Sequence, residues 1–79
     1  RGLGVIELRD AAADMRMPRE VMLRIRVFLR AVRVGSPRAG MLVPALLRSV
    51  ETGMPDHPEL AAAVRAAGDR HGTVPGAAD

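Results

Sequence analysis

The run from Pro18 to Val34 constrains this chain most, because apolar residues recur there at the helical period on two faces at once. At 100° per residue, Val21, Met22, Ile25, Phe28, Leu29 and Val32 share one face, and Leu23, Val27, Ala31 and Val34 share a second. Two apolar faces require two packing partners. A narrow stripe of Arg19, Arg26, Arg30 and Arg33 runs between them, with Arg24 alone on the far side, so a basic ridge is expected to stay in water while its stems cover apolar surface. A strand is the competing reading, since Leu23 to Val27 alternates and is rich in branched side chains. It fails at Phe28-Leu29, and no second strand of comparable quality exists to pair with it.

Glycine, proline and short polar residues divide the rest. Arg1 to Gly4, with two glycines and no cap, read as a flexible entry. From Val5, the residues Val5, Leu8, Ala11, Ala12 and Met15 share a face, Glu7, Asp10 and Asp14 share another, and Arg9 and Arg16 flank the apolar stripe. This first helix is expected to stop near Met17, because Pro18 disfavours a helical residue before it. Pro18 suits the first position of the second helix, with Glu20 in its first turn. Gly35 fits the left-handed position that ends a helix, Ser36 an N-cap, and Pro37 the opening of a third helix.

In that third segment Ala39, Leu42, Val43, Leu46, Leu47 and Val50 make one wide apolar face, interrupted by Pro44. Either the helix kinks at Pro44, or regular helix begins only near Val43 after a looser turn. Gly53 closes it, and Asp56 with Glu59 three residues later reads as a capping box for a fourth helix, whose inner face carries Leu60, Val64, Ala67 and His71. The expected fold is an all-α, small four-helix bundle organised around the helix at about residues 18–34. Its helices lie near Val5 to Met17, Pro18 to Val34, Ser36 to Thr52 and Asp56 to Gly68. Residues 1–72 form a single helical domain, and 73–79 a flexible tail or linker remnant.

Composition limits what such a bundle can bury. Seventy-nine residues with one Phe, no Tyr and no Trp must build a core from Leu, Val, Ile, Met and Ala. A chain of this size buries only about 60–65% of the surface its unfolded form exposes. Helices one and four bring mostly alanine faces, so the second helix has more apolar area than its neighbours easily cover, and self-association or docking on a larger host protein would supply the missing burial. Residues 16–48 hold eight Arg and one acid, a net +7, against four Arg and eight acids, a net −4, elsewhere, which together make the chain's +3. A basic middle between acidic ends can steer a polyanion, and it can equally dock one copy's acidic end on another copy's basic middle. Lys, Asn, Gln and Tyr are absent while Ala, Arg, Gly and Pro abound, as in a GC-rich coding sequence, so arginine here is not by itself a sign of bidentate chemistry.

The polar inventory points away from catalysis. Without cysteine there are no disulfides, thiolate metal sites or thiol nucleophiles. His57 and His71 stand fourteen positions apart in a capping loop and at a helix end, Ser36 and Ser49 fit a cap and a helix surface, and no glycine-rich phosphate loop with a Lys is present. No enzyme activity, cofactor or metal is expected. With neither a long uncharged apolar run nor a signal-type leader, the expected location is cytoplasmic. The leading expectation is a protein interaction module, a homo-oligomer or a docker on a host protein, whose partner interface is Leu23, Val27 and Val34. The alternative is a nucleic-acid-binding domain contacting phosphates through Arg19, Arg26, Arg30 and Arg33, with helices two and three as a helix-turn-helix. Against it, the start of the third helix offers only Arg38 before an apolar run, and the single Phe is expected to be buried. An anionic membrane surface ranks third.

Overall fold

The helical period of the 18–34 run is realised in a computed structural model that describes residues 3–71. Four α-helices follow one another: α1 (Leu3–Asp14), α2 (Arg19–Arg33), α3 (Val43–Gly53) and α4 (Pro58–Arg70), with a 3-10 turn at Ala39–Leu42 leading into α3. Among the described residues there is no strand. Each helix packs on the next in sequence, and α4 closes the ring against α1, its most extensive neighbour. The molecule is an all-α four-helix bundle. Its radius of gyration, 11.5 Å, agrees with the value of about 11.6 Å that chain length alone predicts. The 73–79 tail expected from composition lies outside the described residues.

The core follows the predicted faces. Val21, Ile25 and Phe28 of α2 meet Leu8 of α1, Leu46 and Val50 of α3, and Leu60 and Val64 of α4, all at most 2% exposed. Leu29 and Val32 are half-buried at its edge, and Met22 is half-buried as well. Among the described residues, Phe28 is the largest fully buried side chain, and no polar or charged side chain is buried. Of the second face of α2, Ala31 packs at the edge of the core, while Leu23, Val27 and Val34 stay exposed among the described residues, because α1 and α3 flank the helix and leave its outer half in water.

Boundaries differ from the sequence reading where backbone chemistry decides them. α1 begins at Leu3, not Val5, and Gly4 is buried where its backbone meets that of α4 at Ala63 and Ala67. The glycine that suggested flexibility instead permits close helix approach. α1 also ends early, at Asp14, with a last backbone bond from the Met15 N–H to the Ala11 carbonyl at 2.8 Å. Pro18, with φ −56° and ψ 145°, is the N-cap of α2 and not its first helical residue. Its extended ψ redirects the chain, while its carbonyl accepts the first helical bond from the Met22 N–H at 3.0 Å.

The exit of α2 follows the Gly35 expectation closely. Gly35 takes φ 72°, Ser36 N–H donates to the Ala31 carbonyl (2.8 Å) and Gly35 N–H to the Val32 carbonyl (3.1 Å), the double bond pattern of a Schellman turn. Ser36 Oγ then accepts the Arg38 N–H at 3.1 Å and starts the 3-10 turn. Of the two options for Pro44, the second holds. Val43 and Pro44 open α3, because a proline ring inside a continuous helix would clash with the carbonyl four residues back and leave a bond unmade. The capping box at α4 does not form. His57 is the N-cap with no side-chain cap bond, Pro58 opens the helix, and Glu59 turns to His57.

Candidate interaction surface

Burying Val21, Ile25 and Phe28 fixes the rotation of α2 and therefore what it shows to water. Leu23 is 48% exposed, Val27 55% and Val34 67%, and Ala31 is half-buried. These three predicted interface residues line two different hollows. Leu23 and Val27 sit together in a shallow hollow of about 150 Å³ that they share with Leu42 and Ala45 across the α2–α3 seam. Val34, at the C-cap of α2, lines a different concavity. Met41, 76% exposed in the 3-10 turn next to Leu42, adds apolar surface that no helical period marks, since it falls off the apolar face of the third segment.

The second concavity, about 670 Å³, lies between α1 and α2. Its floor is Val5, Leu29, Val32 and Val34, and its rim carries Arg26, Arg30 and Arg33 from α2 with Arg9 from α1. The structure thus gathers three of the four ridge arginines. Arg19 stands apart at the start of α2 beside Glu20, Leu23 and Arg24. Arg9 was visible in the sequence only as a residue flanking an apolar stripe, and only the packing of α1 on α2 brings it to the ridge.

The absence of a charge partner separates these arginines from Arg24 and Arg65. Arg24 Nε donates to Glu20 Oε2 at 3.3 Å, and the same oxygen accepts the Ser49 hydroxyl of α3 at 3.3 Å. Arg65 of α4 pairs with Glu51 of α3 at 2.7 Å. These are exposed pairs, each worth about 0–1 kcal/mol. Among the described residues, Arg9, Arg19, Arg26, Arg30 and Arg33 have no ion pair or side-chain hydrogen bond. On the outer side of α1, Glu7, Asp10 and Asp14 are exposed and equally unpaired within the described residues, around Ile6 at 43% exposure.

The two histidines do not converge. His57 lies at the start of α4 and His71 at its C-cap, about 20 Å apart at 1.5 Å per residue. His57 Nδ1 is 2.9 Å from Glu59 Oε2. That hydrogen bond, with the Glu59 backbone amide and the charge of His57, holds the Glu59 carboxyl below its ordinary value. Among the described residues no three His, Cys, Asp or Glu side chains are grouped to hold a metal ion, and no helix is long and apolar enough to cross a membrane. Set against protein-family models, curated proteins and solved structures, the chain matches none of them.

Proposed function

We propose that this chain is a non-enzymatic interaction module that self-associates through the outer half of α2, with Leu23 and Val27 at the centre of the contact and Val34 at its end. The observation that carries this reading is the exposure of those three side chains, 48%, 55% and 67%, on the helix that also supplies Phe28, the largest fully buried side chain among the described residues. Each Å² of apolar surface removed from water contributes about 25 cal/mol, so a second molecule covering Leu23, Val27, Met41 and Val34 supplies burial that the bundle does not provide itself.

Sedimentation velocity from low to high micromolar concentration tests it. Wild type should show a concentration-dependent dimer, and Leu23→Ser with Val27→Ser should remain monomeric with unchanged helical circular dichroism, since both side chains lie outside the core. A clean wild-type monomer at high micromolar concentration refutes the proposal.

A second reading, phosphate contact with nucleic acid, is favoured by the convergence of unpaired Arg9, Arg26, Arg30 and Arg33 on one groove. It would be independent of base sequence, because α3 opens with Val43, Pro44 and Ala45 and presents no base-reading side chain there. Its signature is retardation that falls steeply with salt and weakens uniformly across probes in Arg26→Ala with Arg30→Ala. Absence of retardation of duplex and single-stranded probes at low salt removes it.

A further inference from the structure

The charges of this fold fall into two groups. Where opposite charges come within reach they pair, as in Arg24 with Glu20, Arg65 with Glu51 and His57 with Glu59. Of the charges left unpaired among the described residues, two sets cluster: Arg9, Arg26, Arg30 and Arg33 rim the α1–α2 groove, and Glu7, Asp10 and Asp14 occupy the outer face of α1, while others, such as Arg19, Arg38, Arg48 and Asp69, stand apart from both. Four positive groups held around an apolar floor repel one another, and so do three carboxylates along one helix face. Each set lacks a counter-charge within the described chain, and each is the counter-charge the other lacks.

We propose that the α1–α2 groove of one copy receives the outer face of α1 of a second copy, with Ile6 and Ala13 over the floor of Val5, Leu29 and Val32 and the α1 carboxylates among the rim arginines. Because α1 is both a wall of the groove and the element that docks, the contact is reciprocal. Two α1–α2 layers stack in a staggered pair, each α1 lying over the other copy's groove, and the arrangement closes on a two-fold axis. The inference rests on the self-association reading above and gives it a partner surface. At 100° per residue Arg30 projects between Leu23 and Arg26, so the ridge and the Leu23–Val27 stripe are one continuous exposed half of α2. In this contact the apolar residues supply affinity, and the charges set register and exclude wrong pairings.

The test is a charge exchange. Arg26→Glu with Arg30→Glu puts an acidic α1 against an acidic groove, and Asp10→Arg with Asp14→Arg puts a basic α1 against a basic groove. All four positions are exposed, so both variants should keep wild-type circular dichroism and thermal stability. Each alone should dimerise at least about tenfold more weakly than wild type, and an equimolar mixture should recover wild-type affinity as a heterodimer, since both of its contacts are again complementary. Arg38→Glu with Arg48→Glu, an equal change in net charge away from the groove, should dimerise like wild type. If wild type is a monomer, the self-association reading fails and this inference fails with it. If wild type dimerises while both exchanged variants dimerise equally well, or if the control behaves like Arg26→Glu with Arg30→Glu, the charge-matched contact is refuted and the Leu23–Val27 contact stands. Retardation of a nucleic-acid probe by wild type that is lost in Arg26→Glu with Arg30→Glu, without any change in self-association, assigns the groove to a polyanion and overturns the proposal.

Discussion

Replacing Gly4 by alanine is expected to destabilise this protein, although the same change in most helices does the reverse. Alanine is favoured over glycine in a helix interior by about 1 kcal/mol, part of it from a less flexible unfolded chain. At Gly4 that gain meets an obstacle. A Cβ built there lies 2.5 Å from the Ala63 carbonyl oxygen and 2.9 Å from the Ala67 Cα, and also overlaps the Ala67 backbone nitrogen. Ordinary contact begins at 3.4 Å, so α1 and α4 must part by about 0.9 Å, the difference from 2.5 Å. The obstructing atoms are backbone and cannot rotate away. Overpacking of this kind costs typically 1–3 kcal/mol, toward the upper end where backbone must move, which leaves a net loss of about 1–2 kcal/mol after the helix gain is subtracted. For a domain this small that corresponds to a fall in Tm of roughly 4–16 °C. Thermal and urea unfolding followed at 222 nm read the loss. Gly53→Ala is the control, because a Cβ there meets only side chains, Val21 Cγ2 at 3.2 Å and Pro18 Cγ at 3.6 Å, and it should stay within about 1 kcal/mol of wild type. If Gly4→Ala unfolds at or above the wild-type temperature, the close α1–α4 packing described here is wrong.

Gly35→Ala should cost about 1–2 kcal/mol by urea unfolding for a different reason, since nothing lies within 4 Å of its Cβ position and the whole penalty is the left-handed φ of 72°. Phe28→Ala should remove about 3–5 kcal/mol, a large part of the roughly 4–12 kcal/mol available to a chain of this length, and a shift of the urea midpoint smaller than that of Gly35→Ala would contradict its place at the centre of the core. Glu59 should titrate below the ordinary glutamate value in carboxyl-carbon NMR, and His57→Ala should return it upward. Because its folded value is depressed, its contribution to stability is present above the ordinary carboxylate range and is lost as pH falls through the folded value.

The helices were legible because apolar period and chain punctuation agreed. Val21, Ile25 and Phe28 announce the buried face of α2, Gly35 and Ser36 its exit, and Pro44 one of two starts for α3. What stayed hidden depended on neighbours distant in sequence. Gly4 reads as flexible until α4 is placed against it. Asp56 and Glu59 match a capping box in spacing, but proline at position 58 and histidine at 57 give Glu59 a nearer partner, and the helix starts one residue late for the box. The surface divided the same way. Leu23, Val27 and the arginines were named from one helix wheel, whereas the separation of Val34 from Leu23, the departure of Arg19 and the arrival of Arg9 are properties of two helices packed together, which no single wheel contains.

The pairing of the first helix with the last has a consequence during synthesis. α2, the Gly35–Ser36 turn and α3 join through short connections, so that part of the bundle can assemble as soon as it leaves the ribosome. α1 leaves earlier but packs most extensively on α4, the last helix of the bundle to be made. At roughly 5–20 residues per second, its apolar stripe of Leu8, Ala11 and Ala12 stays only partly covered for several seconds until α4 arrives. The first-made helix of the bundle is therefore among its last parts to be locked in place, and in that interval a chaperone or a neighbouring nascent chain can reach it.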